Sequence, residues 1–202
     1  MLRLIKHQNI SEALGSYTLD GNQNLLFKWA PGGSLEDTFD NPIPTPFPHV
    51  ILALAGLCSA VAAVHDFFSE ELQLRAMGFH HDLKPGNVLV DGPNLILADF
   101  GLSKIDVDRE HSDTSFKAVR GTHVAPECEE LGSSRTFSSN EKVVRRSSDI
   151  WSLACIIAEL LTYKYRGSAG VTKFEESRRH KIGNFIHYRF HHGPPGRKPR
   201  RQ

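Results

Sequence analysis

Residues 80–87 read His-His-Asp-Leu-Lys-Pro-Gly-Asn, and twelve residues after Asn87 the chain reads Asp99-Phe100-Gly101. Between them lie two apolar runs, Val88-Leu89-Val90 and Leu95-Ile96-Leu97-Ala98, separated by the turn signal Asp91-Gly92. A chain written this way is constrained to double back. Two short strands joined at the turn return Asp99 toward Asn87, and so gather Asp82, Asn87 and Asp99 in one place. Ala125-Pro126-Glu127 follows in the same order. The spacing suits phosphoryl transfer, in which an acid positions a hydroxyl nucleophile while an amide and a second acid hold Mg²⁺ against nucleotide phosphates. Mg²⁺ is a hard ion that prefers oxygen, which makes Asn87 and Asp99 the metal candidates. Asp82 is the candidate base, and Lys84 would put positive charge on the transferring group. A surface turn rich in His, Asp and Asn explains each residue singly, but not their order around an apolar strand.

The rest of the chain reads as alternating short elements. Residues 1–8 resemble the last turns of a helix, with Leu2, Leu4 and Ile5 on one side. Strands are expected at about 14–19 and 23–29 around Asp20-Gly21. Ser34-Leu35-Glu36-Asp37 reads as a capping box opening a helix. Asn41–Pro48 holds four prolines and reads as a loop. Val50–Val64 is an apolar run of 15 residues, short for a membrane span and better suited to a buried helix, expected to run from about His49 to Phe68. Phe67–Met77 reads as an irregular connection, 102–124 as a mobile loop and Gly132–Asn140 as flexible. Ser148 opens a helix in which Ile150, Leu153, Ala154, Ile157, Leu160 and Leu161 follow 3.6-residue spacing, a signal that fades after Tyr165.

Charge and cysteine content narrow the setting. From Arg178 to Gln202 there are eight Lys or Arg and no acid, so the formal net charge of +1 conceals −7 over the remainder. The basic end reads as a solvated, irregular tail rather than a nucleic-acid arm, although Lys198–Arg201 has the composition of a nuclear-localisation cluster. Cys58, Cys128 and Cys155 are far apart and form no CxxC pair, so neither a disulfide framework nor a zinc site follows. The expectation is an intracellular compartment, cytoplasmic or nuclear, with no secretory signal and no membrane partner. His187, His191 and His192 sit at near-metal spacing but lack acidic or Cys partners, and read as solvent-facing.

The ordered set His80–Asn87, Asp99-Phe100-Gly101 and Ala125-Pro126-Glu127 resembles the protein-kinase catalytic loop, its metal-binding Asp-Phe-Gly and its Ala-Pro-Glu. The resemblance covers most of the chain. His7-Gln8-Asn9-Ile10 is similar to the segment after the regulatory helix, Phe27 to the gatekeeper, and Asp149–Leu153 to the start of the helix that anchors the catalytic loop. His80 and Phe100 match two members of the regulatory spine. The resemblance implies nucleotide contacts at Lys28, Trp29 and Ala30, whose backbone meets adenine, at Leu89 beneath adenine, and at Asp99 through the metal. Ser34 falls where the family contacts ribose, beside its reading as a cap. Asp-Leu-Lys-Pro is similar to serine/threonine rather than tyrosine kinases, and the wider wording to kinases of filamentous fungi.

The fold implied is α+β and kinase-like: 1–29 a remnant of the small-lobe sheet, 30–166 the helical large lobe, and 167–202 the basic tail. The partners implied are ATP, Mg²⁺ and a protein bearing Ser or Thr. The sequence contains no GxGxxG loop and no Val-Ala-Ile-Lys strand. It reads as a kinase domain cut at both ends, with feeble transfer activity on its own. The alternative is a non-catalytic, pseudokinase-like scaffold. His81 stands where the family has Arg, which implies a weak response to phosphorylation at Ser112, Thr114 or Ser115. Gly121–Ala125 is similar to the substrate-docking segment, in a shortened form.

Overall fold

A computed structural model of the chain describes residues 5–41, 49–70, 73–106, 113–115, 121–128, 143–182 and 185–191. The chain divides into two compact units, Met1–Glu110 and His111–Gln202.

The first unit opens with a hairpin of β1 (Ala13–Leu19) and β2 (Asn22–Phe27). Leu19 pairs with Asn22, and the two residues between them, Asp20 and Gly21, have φ of 50° and 78°. Two left-handed residues give the turn whose twist matches that of paired strands. The connector after β2 is zipped to β5 (Val88–Asp91): Gly32 N–H donates to Val90 O at 3.0 Å and Val90 N–H donates to Gly33 O at 2.9 Å. The approach is so close that a Cβ on Gly32 would lie 2.7 Å from the Val90 oxygen. Helix α1 (Leu35–Asp40) then starts at the expected capping box, with Asp37 N–H donating to Ser34 Oγ at 3.1 Å and Ser34 N–H to Asp37 Oδ2 at 2.8 Å. The two Ser34 hydrogen bonds hold the Asp37 carboxyl below the usual carboxylate range.

Helix α2 (Val50–His65) buries Ala53, Leu54, Leu57, Ala60, Val61 and Val64 and leaves Ile51 and Leu52 exposed. It packs against β4 (Leu74–Phe79) and β6 (Asn94–Leu97). It stops three residues before the expected end, because β3 (Phe67–Ser69) pairs antiparallel with β4. A bidentate Arg75–Asp66 pair sits at the end of this hairpin, and that carboxylate raises the Arg75 guanidinium above its usual value. The irregular connection expected at 67–77 is therefore corrected to a strand pair. Its second strand is buried without interruption from Ala76 to Phe79, so it carries no alternation to read. β4 also pairs with β7 (Lys104–Asp106), inside the stretch expected to be a loop. The β5–β6 hairpin forms as expected, Val88 opposite Leu97 and Asp91 opposite Asn94, with Gly92 at φ 58°. Residues 5–8 are not helical, contrary to expectation. The readings for 1–4, 42–48 and 132–140 lie outside the described residues.

In the second unit β8 (Asp113–Ser115) pairs with β9 (Val143–Arg145), and α3 (Ser147–Ser177) follows. α3 buries Ser148, Asp149, Ser152, Leu153, Cys155, Ile156, Glu159, Leu160 and Tyr163. The expected stripe is thus rotated: Ile150 and Ala154 face out, while four polar residues lie in. Gly167, at φ 64°, breaks the helical geometry close to where the apolar period fades. A helical segment runs on to Ser177, and a short hairpin of β10 (His180–Ile182) and β11 (Phe185–His187) follows, where an irregular tail was expected. No described helix is long and apolar enough to cross a membrane.

Replacing Ser34 with Ala should remove about 1 kcal/mol of stability, read from chemical denaturation. Because folding lowers the Asp37 carboxyl, its contribution is complete above the ordinary carboxylate range and is lost as the pH falls through that range. The stability difference between the chain and Asp37→Asn should therefore shrink on acidification.

Candidate active site

The chemistry-bearing residues sit at the seam between the β4 end and the β5–β6 hairpin. Asn87 closes the 3₁₀ turn Pro85–Asn87, its N–H donating to Lys84 O at 3.0 Å. From there its buried amide donates through Nδ2 to both Asp82 O and Asp82 Oδ2, each at 2.8 Å. Lys84 Nζ reaches the same Oδ2 at 2.8 Å. One carboxylate oxygen thus receives an amide and an ammonium hydrogen, an arrangement that fixes its rotamer. Lys84 itself is exposed.

Asp99 is brought in by the backbone. Ala98 N–H donates to Asn87 O at 2.9 Å, which sets the next residue beside the turn. Asp99 has φ 57°, and its Oδ1 accepts from Gly101 N–H at 3.2 Å. His80, fully buried, ties the two segments together. Its Nδ1 accepts from Asp82 N–H at 3.3 Å, so Nε2 carries the hydrogen donated to Ala98 O at 3.0 Å. Its ring also meets Phe100 edge-on at 4.8 Å. His81, next to Asp82, is held at φ 67° with its ring stacked on Phe79 at 5.4 Å. Left-handed backbone at two non-glycine positions, His81 and Asp99, marks a segment held in place by its surroundings.

The donor set fits a hard cation. With Nδ2 of Asn87 committed to Asp82, Oδ1 is the amide atom left for a metal, and Asp99 adds an exposed carboxylate. A separate cavity of about 510 Å³ in the same unit has Lys28, Trp29, Ala30, Leu89 and Ile96 among its walls. Its size is that of a small-molecule pocket, and its lining is mixed, with Lys6, Glu12 and Asp91 beside the apolar residues. Lys28 Nζ pairs with Asp91 Oδ2 at 3.1 Å, linking the connector to the hairpin. Four of the six expected nucleotide contacts therefore share one cavity. Asp99 and Ser34 do not line it. The Ser34 hydroxyl donates to Asp37 Oδ2 at 2.6 Å and accepts Asp37 N–H, so it serves the helix cap on both sides.

Two features escaped the sequence reading. Asn9 is buried and anchors β6, accepting from Leu97 N–H at 2.8 Å and donating to Leu95 O at 2.9 Å. The adjoining His7 takes Asn9 N–H on Nδ1 at 3.1 Å and meets Ser59 Oγ at 3.0 Å, and burial lowers its pKa. In the second unit Glu159 is a buried acid bonded to His123 and Arg178. The only trace of it in the sequence is an acid inside an otherwise apolar helical stretch. Nearby, burial chiefly and Glu159 secondarily push the Cys155 thiol up to about 12, which keeps it protonated and unreactive at neutral pH.

Comparison with known proteins bears directly on this arrangement. The family model described as the protein kinase domain matches residues 1–191. The chain is 31% identical over 167 residues to mitogen-activated protein kinase kinase kinase ANP1 of Arabidopsis thaliana, covering 81% of this chain and 22% of that protein. It is 30% identical over 171 residues to the probable serine/threonine-protein kinase PBL26 of the same plant, covering 80% and 37% respectively. It is likewise 30% identical over 173 residues to serine/threonine-protein kinase Nek8 of Danio rerio, covering 81% and 21%. The chain thus spans about a fifth of ANP1 and Nek8 and little more than a third of PBL26.

Asn87→Ala strips Asp82 of two donors inside a buried turn. It should destabilise the fold by about 1–3 kcal/mol, measurable by urea denaturation, whereas Lys84→Ala at the exposed end should change stability by less than about 1 kcal/mol.

Proposed function

Since this chain belongs to the protein kinase domain family, we propose that it binds ATP with Mg²⁺ and directs the γ-phosphoryl group to Ser or Thr hydroxyls of protein substrates. The observation that carries this reading is the joint hold of Asn87 and Lys84 on one oxygen of Asp82. Asp82 accepts the hydrogen of an incoming hydroxyl and orients its oxygen. Lys84 supplies positive charge beside it. Asn87 Oδ1 and the Asp99 carboxylate hold Mg²⁺, which when bound neutralises phosphate charge. Lys28, Trp29 and Ala30 present their backbone to the base and Leu89 supplies an apolar floor. Any ribose contact from Ser34 uses the lone pair its cap leaves over. Gly121–Ala125 receives the protein substrate.

The relatives' printed names support serine/threonine specificity, and the pocket supports a nucleotide-sized ligand. Calorimetric titration of the full chain with ADP, with and without Mg²⁺, tests the binding half. Saturable binding that needs Mg²⁺ is expected, and Asp99→Asn should weaken it by about tenfold or more. Asp82→Ala should leave nucleotide affinity nearly unchanged while abolishing whatever transfer to a lysine-rich protein the chain performs. Absence of nucleotide binding in the wild-type chain would refute the reading and favour a non-catalytic scaffold.

A further inference from the structure

The second unit holds a charge network that the catalytic assignment does not use. Glu159 and Arg178 are 6% and 9% exposed. Arg178 Nη2 donates to Glu159 Oε1 at 3.0 Å and Arg178 Nε to Tyr188 O at 3.2 Å. The guanidinium packs into a corner formed by two rings that meet edge-on, 4.4 Å from the Phe174 centroid and 3.9 Å from that of Phe190. A planar, weakly hydrated cation suits such a corner, and a lysine ammonium does not reproduce it. The other carboxylate oxygen of Glu159 lies 2.7 Å from His123 Nε2. A carboxylate only accepts, so Nε2 carries the hydrogen, and Nδ1 pairs with the Thr122 hydroxyl at 2.9 Å. Ser152 Oγ donates to His123 O at 2.8 Å, pinning the same residue to α3.

The network therefore runs from the segment after α3, through a buried acid, to Thr122 and His123. A buried carboxylate deprived of its cation is a high-energy arrangement that drives local rearrangement. His123 is the other group bonded to that carboxylate, so it is the group that moves. We propose that Arg178 is a positioning residue for Gly121–Ala125: by pairing with Glu159 it keeps His123 and Thr122 in the conformation that accepts a protein substrate. The word substrate rests on the docking role given to this segment above. The pairing itself does not.

The test uses the full chain and the variants Arg178→Gln and Arg178→Lys. Hydrogen exchange is followed at the amides of 122–124, with Cys155–Ile157 of α3 as the internal reference. Affinities are measured separately for a lysine-rich serine peptide and for ADP with Mg²⁺. Arg178→Gln should speed exchange at 122–124 by about tenfold and leave the α3 amides within about twofold. It should weaken the peptide by about tenfold and leave ADP within about twofold. Arg178→Lys, which keeps the charge but not the planar fork, should fall between, and it serves as the readable variant if Arg178→Gln does not fold. Unchanged exchange at 122–124, or equal loosening of α3, overturns the positioning role. A peptide affinity that does not move while the segment loosens, or no peptide binding by the wild-type chain, overturns its link to substrate. Failure of ADP to bind the wild-type chain instead sinks the kinase reading, and the exchange data still decide the pairing.

Discussion

The Asn87 amide and its own peptide group are the point on which the first unit's chemistry turns. The side chain holds Asp82 at two oxygens, the N–H closes the turn onto Lys84, and the carbonyl takes Ala98 N–H. One buried residue thereby fixes the Asp82 carboxylate, ends the 3₁₀ turn and registers the strand that delivers Asp99. His80 doubles the connection with one ring nitrogen to each segment. Such a two-sided tie positions charge before any ligand arrives, and preorganised charge is where catalysis of phosphoryl transfer is concentrated.

Legibility in the sequence tracks how local each signal is. The Asp20-Gly21 turn, the Ser34 cap and the Val88/Leu95 hairpin were readable because each is written within a few adjacent residues. The order of Asp82, Asn87 and Asp99 was readable because a hairpin between them leaves little freedom. β4 was not, since its stretch Ala76–Phe79 is buried without interruption and shows no alternation. β7 was not, since Lys104–Asp106 joins a sheet by main-chain bonds to β4 that no local pattern announces. The buried face of α3 was misphased because Ser148, Asp149, Ser152 and Glu159 lie in it, and an apolar period is blind to polar groups that are satisfied inside. The helical segment after Gly167 carries too few apolar residues to stand out.

Both units follow one rule for charge. Asp82 and Glu159 are sheltered, and each is held by a cation and a further donor. Isolated burial of either would be strongly unfavourable, so the partners are as much a part of the fold as the acids. Apolar surface is handled less completely. Leu14 and Leu25 of the β1–β2 hairpin are each 60% exposed and Trp29 is 79% exposed, which a two-stranded sheet cannot cover alone. Of this hairpin only Ala13 reaches the cavity that Lys28 and Ala30 line.

Manganese provides the most direct measurement of the central claim, because it takes the oxygen ligands of magnesium and broadens nearby nuclear resonances. With ADP and substoichiometric Mn²⁺ added to the isotopically labelled chain, the account predicts selective broadening at Asn87, Asp99 and Gly101, with α2 and β1 spared. Uniform broadening, or broadening centred on residues away from the Asn87 turn, would contradict a shared cation site between Asn87 and Asp99.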